Sequence, residues 1–170
     1  MNNHIDPTSD RLFRHMAWAN AQLFTIMQRL PDAVLHYSEP GNEWTVAMTL
    51  HHLVEAAMYL AKSLEGNAGV LTAPISLPPT RISELAALAK TCAGADARLH
   101  LAAHTPDGVV VRSNDFALNR ARTTVLAQAI HHATEHRAQI AGALVANGVT
   151  ALSLDDLDVW AFGDAEGLGA

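Results

Sequence analysis

Cysteine is almost missing: Cys92 is the only one in 170 residues. A single thiol cannot close an intramolecular disulfide, and it excludes a zinc site or iron–sulfur cluster built from cysteines. Lysine is nearly as scarce, with Lys62 and Lys90 alone. The net charge is −6 with histidine neutral, which speaks against a general binder of nucleic acid or anionic membrane. Long hydrophobic runs are also missing. The longest uncharged stretches, 66–80 and 140–154, are interrupted by Gly, Asn, Pro or Ser and fall short of the roughly 20 apolar residues of a spanning helix. The first residues, MNNHIDPTSDRLF, show neither a basic start nor an apolar run. No signal peptide is therefore expected, and a reducing cytoplasm is the expected location.

Alanine (31) and leucine (21) are abundant. Both lose little rotamer freedom on a helix, so the composition favours helix over strand. An apolar fraction of 49% over this length supports a single domain, 1–170, with a sizeable core. Ten histidines are the feature that such a generic helical domain does not explain.

The apolar spacing predicts four long helices. Pro7, Thr8, Ser9 and Asp10 lead into the first, whose stripe is Leu12, Met16, Ala19, Leu23, Ile26 and Leu30, stopping at Pro31. A loop follows around Pro40 and Gly41. Thr45 is a good N-cap for the second helix, with Leu50, Leu53, Ala57, Leu60 and Leu64 as its stripe. Gly66, Gly69, Pro74, Pro78 and Pro79 mark a crossover too long for a tight hairpin. The third helix is expected from near Thr80, capped by Thr80 or Ser83, through Leu85, Leu88, Cys92 and Leu99 to about His104. Pro106-Asp107-Gly108 reads as a turn. Short extended segments are expected around Val109, Val110 and Val111, and at Phe116 and Leu118. The fourth helix runs from about Arg122 to Ala146 and ends at Asn147-Gly148. The acidic tail, with Val159, Trp160 and Phe162, is expected to pack back on the body. Four long helices with one long crossover indicate an all-α four-helix bundle.

His132 and His136 lie four residues apart, one turn apart on one helix face, a spacing at which two imidazoles can grip one metal ion. Their face continues through Val125, Ala129, Ile140 and Ala143, which points the pair into the bundle. On the second helix His52 has Met48, Ala56 and Tyr59 on its own face and could approach that pair, giving three ligands with open positions. A histidine pair at this spacing also occurs on solvated faces with no metal. His51 and His131 read as flanking residues, while His4, His15, His36, His100 and His104 read as surface or packing residues. Glu55, one turn after His52, and Glu135 could orient an imidazole or act as a general base; an exposed carboxylate is the plainer reading of both. Arg137 has three readings: contact with a neighbour's last turn, contact with an anionic substrate, or solvation. Cys92 reads as a small core residue.

RLFRHMAWANAQLF in helix one, EWTVAMTLHHLVEAAMYL in helix two, HHATEHRAQI in helix four and the ending LDDLDVWAFGDAEG together resemble the DinB/YfiT-like metalloenzymes, in order from about residue 11 to 167. The resemblance implies an up-down-down-up bundle with the long crossover between helices two and three, and a homodimer in many members. It also implies a three-histidine divalent metal site, whose ligands fall here on His52, His132 and His136, with zinc or nickel as the ion. Many members carry a histidine where this chain has Glu135. Relatives include enzymes that use a low-molecular-weight thiol as co-substrate, so a thiol-dependent S-transferase or isomerase acting on a small molecule is expected. A metal-dependent hydrolase would use the same ligands, and a non-enzymatic, stress-related metal-binding module is the alternative from another class.

Overall fold

The computed structural model describes residues 5–65, 77–110 and 120–168. Four long helices dominate it: α1 (Pro7–Met27), α2 (Val46–Leu64), α3 (Leu85–Ala103) and α4 (Arg122–Ala146), followed by the short α5 (Val159–Ala165). Two-residue strands β1 (Val109–Val110) and β2 (Arg120–Ala121) pair antiparallel just before α4. The all-α bundle expected from composition and spacing is the observed fold.

Side-chain bonds at one end of the bundle show how the helices run. Arg122, at the start of α4, donates to the Leu64 carbonyl at the end of α2 (2.8 Å) and to the Ala102 carbonyl at the end of α3 (2.9 Å). Asp10, at the start of α1, meets His100 near the end of α3 at 2.8 Å. Helices α1 and α4 therefore leave this end while α2 and α3 arrive at it, which is up-down-down-up. α1 packs on α3 and α4, and α2 packs on the same two. Because α2 and α3 are parallel, their connection must travel back along the bundle, so it cannot be a tight turn. Residues 66–76 of that crossover, with Gly66, Gly69 and Pro74, lie outside the described residues, as do Val111, Phe116 and Leu118.

Local chemistry sets the helix ends. Thr45 caps α2 as expected, its hydroxyl accepting from the Met48 amide. α4 stops at Asn147, and Gly148 takes φ +78°, which lets the Val149 amide turn back to the Leu144 carbonyl at 2.9 Å. Two expectations need correction. α1 begins at Pro7, with Asp6 as the cap accepting from the Ser9 amide, so Thr8 and Ser9 are already helical. α3 begins at Leu85, after a short turn of 3-10 helix at Ile82–Glu84. Its entry is held by carboxylates: Glu84 accepts from the Thr80 amide and Asp32 from the Ile82 amide. Neither Thr80 nor Ser83 caps it.

The core fills with Met16, Leu23, Met27, Leu50, Leu53, Leu85, Leu99, Ile140 and Leu144. The α1 stripe is shifted from the expected one. Phe13, Phe24 and Met27 are buried with Met16, Ala19 and Leu23, while Leu12, Ile26 and Leu30 are only partly covered. The tail does return to the body, but through Leu157 and Phe162; Trp160 is 84% exposed. Phe162 packs on Trp18 and His15, and the ring of the buried His15 bonds the Leu157 carbonyl. Among the described residues, no helix is long and apolar enough to cross a membrane.

Candidate metal centre

α2 and α4 run antiparallel against each other, so residues whose numbers sum to about the same value lie side by side. The pairing of Leu64 with Arg122 at the end brings His52 opposite His132 and His136 further along. Their Nε2 atoms converge: His52 to His132 is 3.1 Å, and His132 to His136 is 2.9 Å. Bonds of about 2.0 Å to a tetrahedral ion imply ligand separations of about 3.3 Å. Three imidazole nitrogens gathered at that spacing fit a divalent metal.

The tautomer of one ligand is set by its neighbour. His136 Nδ1 donates to Gln139 Oε1 at 2.7 Å, which leaves the Nε2 lone pair free to coordinate. Trp44, in the loop before α2, walls the site. Its ring meets His52 edge-on at 4.9 Å and lies nearly parallel to His136 at 6.2 Å. His136 is buried, while His52 and His132 are half-buried. Trp44 is itself 39% exposed, so the cluster it packs against is not sealed in the core. Among the described residues, no fourth His, Cys, Asp or Glu joins the group.

Burial disfavours the charged form of His132 and His52. It pushes His132 from 6.5 down to about 4, aided by the neighbouring His136 and His52. It also lowers His52, aided by His136 and opposed by Glu55. Both are neutral near pH 7, the form a metal needs. The metal-free chain consequently has a defined pH response. Below pH 6.5 the unfolded chain takes up protons that folded His132 refuses until about pH 4, so stability falls on acidification across that window and levels off above it. Urea midpoints measured in chelator from pH 7.5 to 5 should decline, and less so for His132→Gln. Equal declines in the two chains would contradict the assignment.

The other candidates separate. Glu55 is half-buried one turn from His52 and acts on it through charge alone, with no hydrogen bond to the three imidazoles. Glu135 and His131 are exposed, and His51 lies outside the cluster. Arg137 is neither solvated nor set against a neighbour's last turn. It is buried at 3% exposure and donates to Asn20 Oδ1 (2.7 Å) and Thr134 Oγ1 (3.0 Å). Asn20 in turn donates to Asp96 Oδ2 at 2.9 Å, and the Cys92 thiol approaches the same oxygen at 3.7 Å. This buried polar chain joins α4, α1 and α3 on the far side of α4 from the imidazoles. Cys92 is the core residue expected, and its thiol is pushed well up by burial, so it is not a nucleophile.

Trp44 and Gln139 escaped sequence reasoning. Gln139 carried one usable signal, its position three residues beyond His136 on the same helix.

An antiparallel pair of bundle helices whose three imidazole nitrogens converge beside Trp44 defines a helical-bundle protein with a candidate three-histidine metal site. The model of the DinB family matches residues 1–162, and the chain belongs to that family. A search of curated proteins found no match.

Proposed function

We propose that this protein is a metal-dependent enzyme whose divalent ion, zinc or nickel, is held by His52, His132 and His136 and acts on a small-molecule substrate. The observation that carries the reading is three ligands with no fourth among the described residues, beside the partly exposed Trp44. Structural sites close all four positions with protein, while catalytic ones leave one for water or substrate. When bound, such an ion lowers the pKa of a coordinated thiol or water and supplies a nucleophile near neutral pH. The chain's own contribution is positional. Gln139 holds the His136 ring, Trp44 packs against two of the imidazoles, and half-buried Glu55, whose charge is felt at His52, is the residue assigned to accept a proton from an incoming nucleophile.

Of the two chemistries, transfer of a low-molecular-weight thiol to an electrophile is favoured over hydrolysis. The support is the likeness of the site segments to thiol-dependent relatives, together with the imidazole donor set, which suits ions that bind sulfur. The test loads the purified chain with zinc or nickel and assays it with low-molecular-weight thiols plus electrophiles, and separately with ester and amide panels. Thiol-dependent turnover that Glu55→Gln slows about 100-fold, with metal retained, is the expected result. Turnover of esters or amides without thiol selects the hydrolase. No turnover in either panel, with metal fully bound, overturns the enzymatic reading in favour of a metal-stabilised module.

A further inference from the structure

At the opposite face of the bundle a second cluster repeats the logic of the first with different donors. His100 and His104 lie one turn apart at the end of α3, just as His132 and His136 do on α4. The third member again comes from the antiparallel neighbour: Asp10, in the first turn of α1. Asp10 Oδ1 lies 2.8 Å from His100 Nε2, and the His100 and His104 rings are 5.4 Å apart. One ligand atom from each of the three falls within 4.8 Å of the others. Phe13 stacks on His100 at 6.1 Å with 13° between the planes, which fixes that ring.

We propose that Asp10, His100 and His104 form a second divalent transition-metal site, a staple that ties the start of α1 to the end of α3. Two imidazoles and one carboxylate suit a borderline ion such as zinc or cobalt better than calcium or magnesium, which take oxygen donors. An ion there would replace the proton now held between Asp10 Oδ1 and His100 Nε2. Arg14 lies close, but it engages the other oxygen, Oδ2, at 2.9 Å and leaves Oδ1 to the imidazoles. Arg14 also reaches Glu166, as does Arg11, so one carboxylate besides Asp10 offsets these two cations. Closing the site draws the three ligand atoms from within 4.8 Å of one another toward the roughly 3.3 Å spacing of a tetrahedral ion. The staple is more open to solvent than the three-histidine centre and exchanges its ion more readily.

The two sites are tested apart in one experiment. Cobalt or zinc is titrated into the His52→Ala/His132→Ala/His136→Ala chain, whose helicity is checked by circular dichroism. One ion per chain is expected, with a rise in thermal midpoint, and the further change His104→Ala should weaken binding at least 10-fold. His104 lies outside the Asp10–His100 pair, so its loss leaves that contact standing. In the otherwise unaltered chain, His104→Ala should lower the stoichiometry from two ions to one. Absence of binding in the triple variant, or binding that neither His104→Ala nor Asp10→Asn weakens, overturns the proposal. Failure of the three-histidine centre itself shows separately, as equal stoichiometry in the unaltered and triple-variant chains.

Discussion

Changing His132 to alanine should weaken divalent metal binding more than about 100-fold. Its Nε2 is the one atom that touches both other ligands, at 3.1 Å and 2.9 Å, so its loss opens the middle of the cluster. Structural zinc sites with four ligands bind with about 10–16 kcal/mol, or about 3 kcal/mol per ligand, and each 1.4 kcal/mol is tenfold in affinity. The Gln139→Ala change is the instructive comparison. It leaves all three imidazoles in place and removes only the acceptor that holds His136 in the coordinating tautomer, for which about a tenfold loss is expected. Competition against a chelator of known affinity reads both. The order His132→Ala, then Gln139→Ala, then unaltered chain is required; equal affinities for His132→Ala and the unaltered chain would remove the ion from these histidines altogether.

Much of this centre was legible because its determinants are local. The i,i+4 spacing of His132 and His136 places them on one face whatever the rest of the chain does, and the Thr45 cap and Gly148 stop set the lengths of α2 and α4. That α2 and α4 are neighbours came instead from resemblance, since no periodicity says which helices pair. Trp44 was invisible because loop residues obey no period. The shifted α1 stripe has a different cause. Its buried face contains His15 and Asn20, so counting apolar residues drew the stripe one position toward Leu12 and Ile26. The same counting could not find Arg137 or Asp96, because a buried charge looks like a surface residue until its partners are known. His100 and His104 also read as ordinary, since their carboxylate partner lies ninety positions away, at Asp10.

That buried charge predicts the largest effect on folding. Arg137 is held among Asn20, Thr134 and, through Asn20, Asp96. Burial pulls its guanidinium down to about 10, yet it stays charged near neutral pH. Burial also raises Asp96, and its Oδ1 has no hydrogen-bond partner, so this carboxyl depends on the nearby cation more than a fully bonded one would. Arg137→Met keeps an apolar stem in the same space and removes only the charge and the donors. Stranding the buried partners of a charged donor costs about 3 kcal/mol, the low end for a broken buried ion pair because Asn20 stands between Arg137 and Asp96, which for a chain of this length lowers the thermal midpoint by about 10 °C. Asp96→Asn should be much milder, because an amide needs no cation and can still accept from Asn20. In Arg137→Met/Asp96→Asn the two losses should add to less than their sum, since the second change removes the group that the first leaves stranded. Simple additivity would mean that Arg137 stabilises through its stem and its Thr134 contact alone. Metal affinity separates the two halves of α4: successive helix residues point about 100° apart, so His136 faces α2 while Arg137 faces α1 and α3. The Arg137→Met chain should therefore lose stability while binding its ion within a few-fold of the unaltered chain.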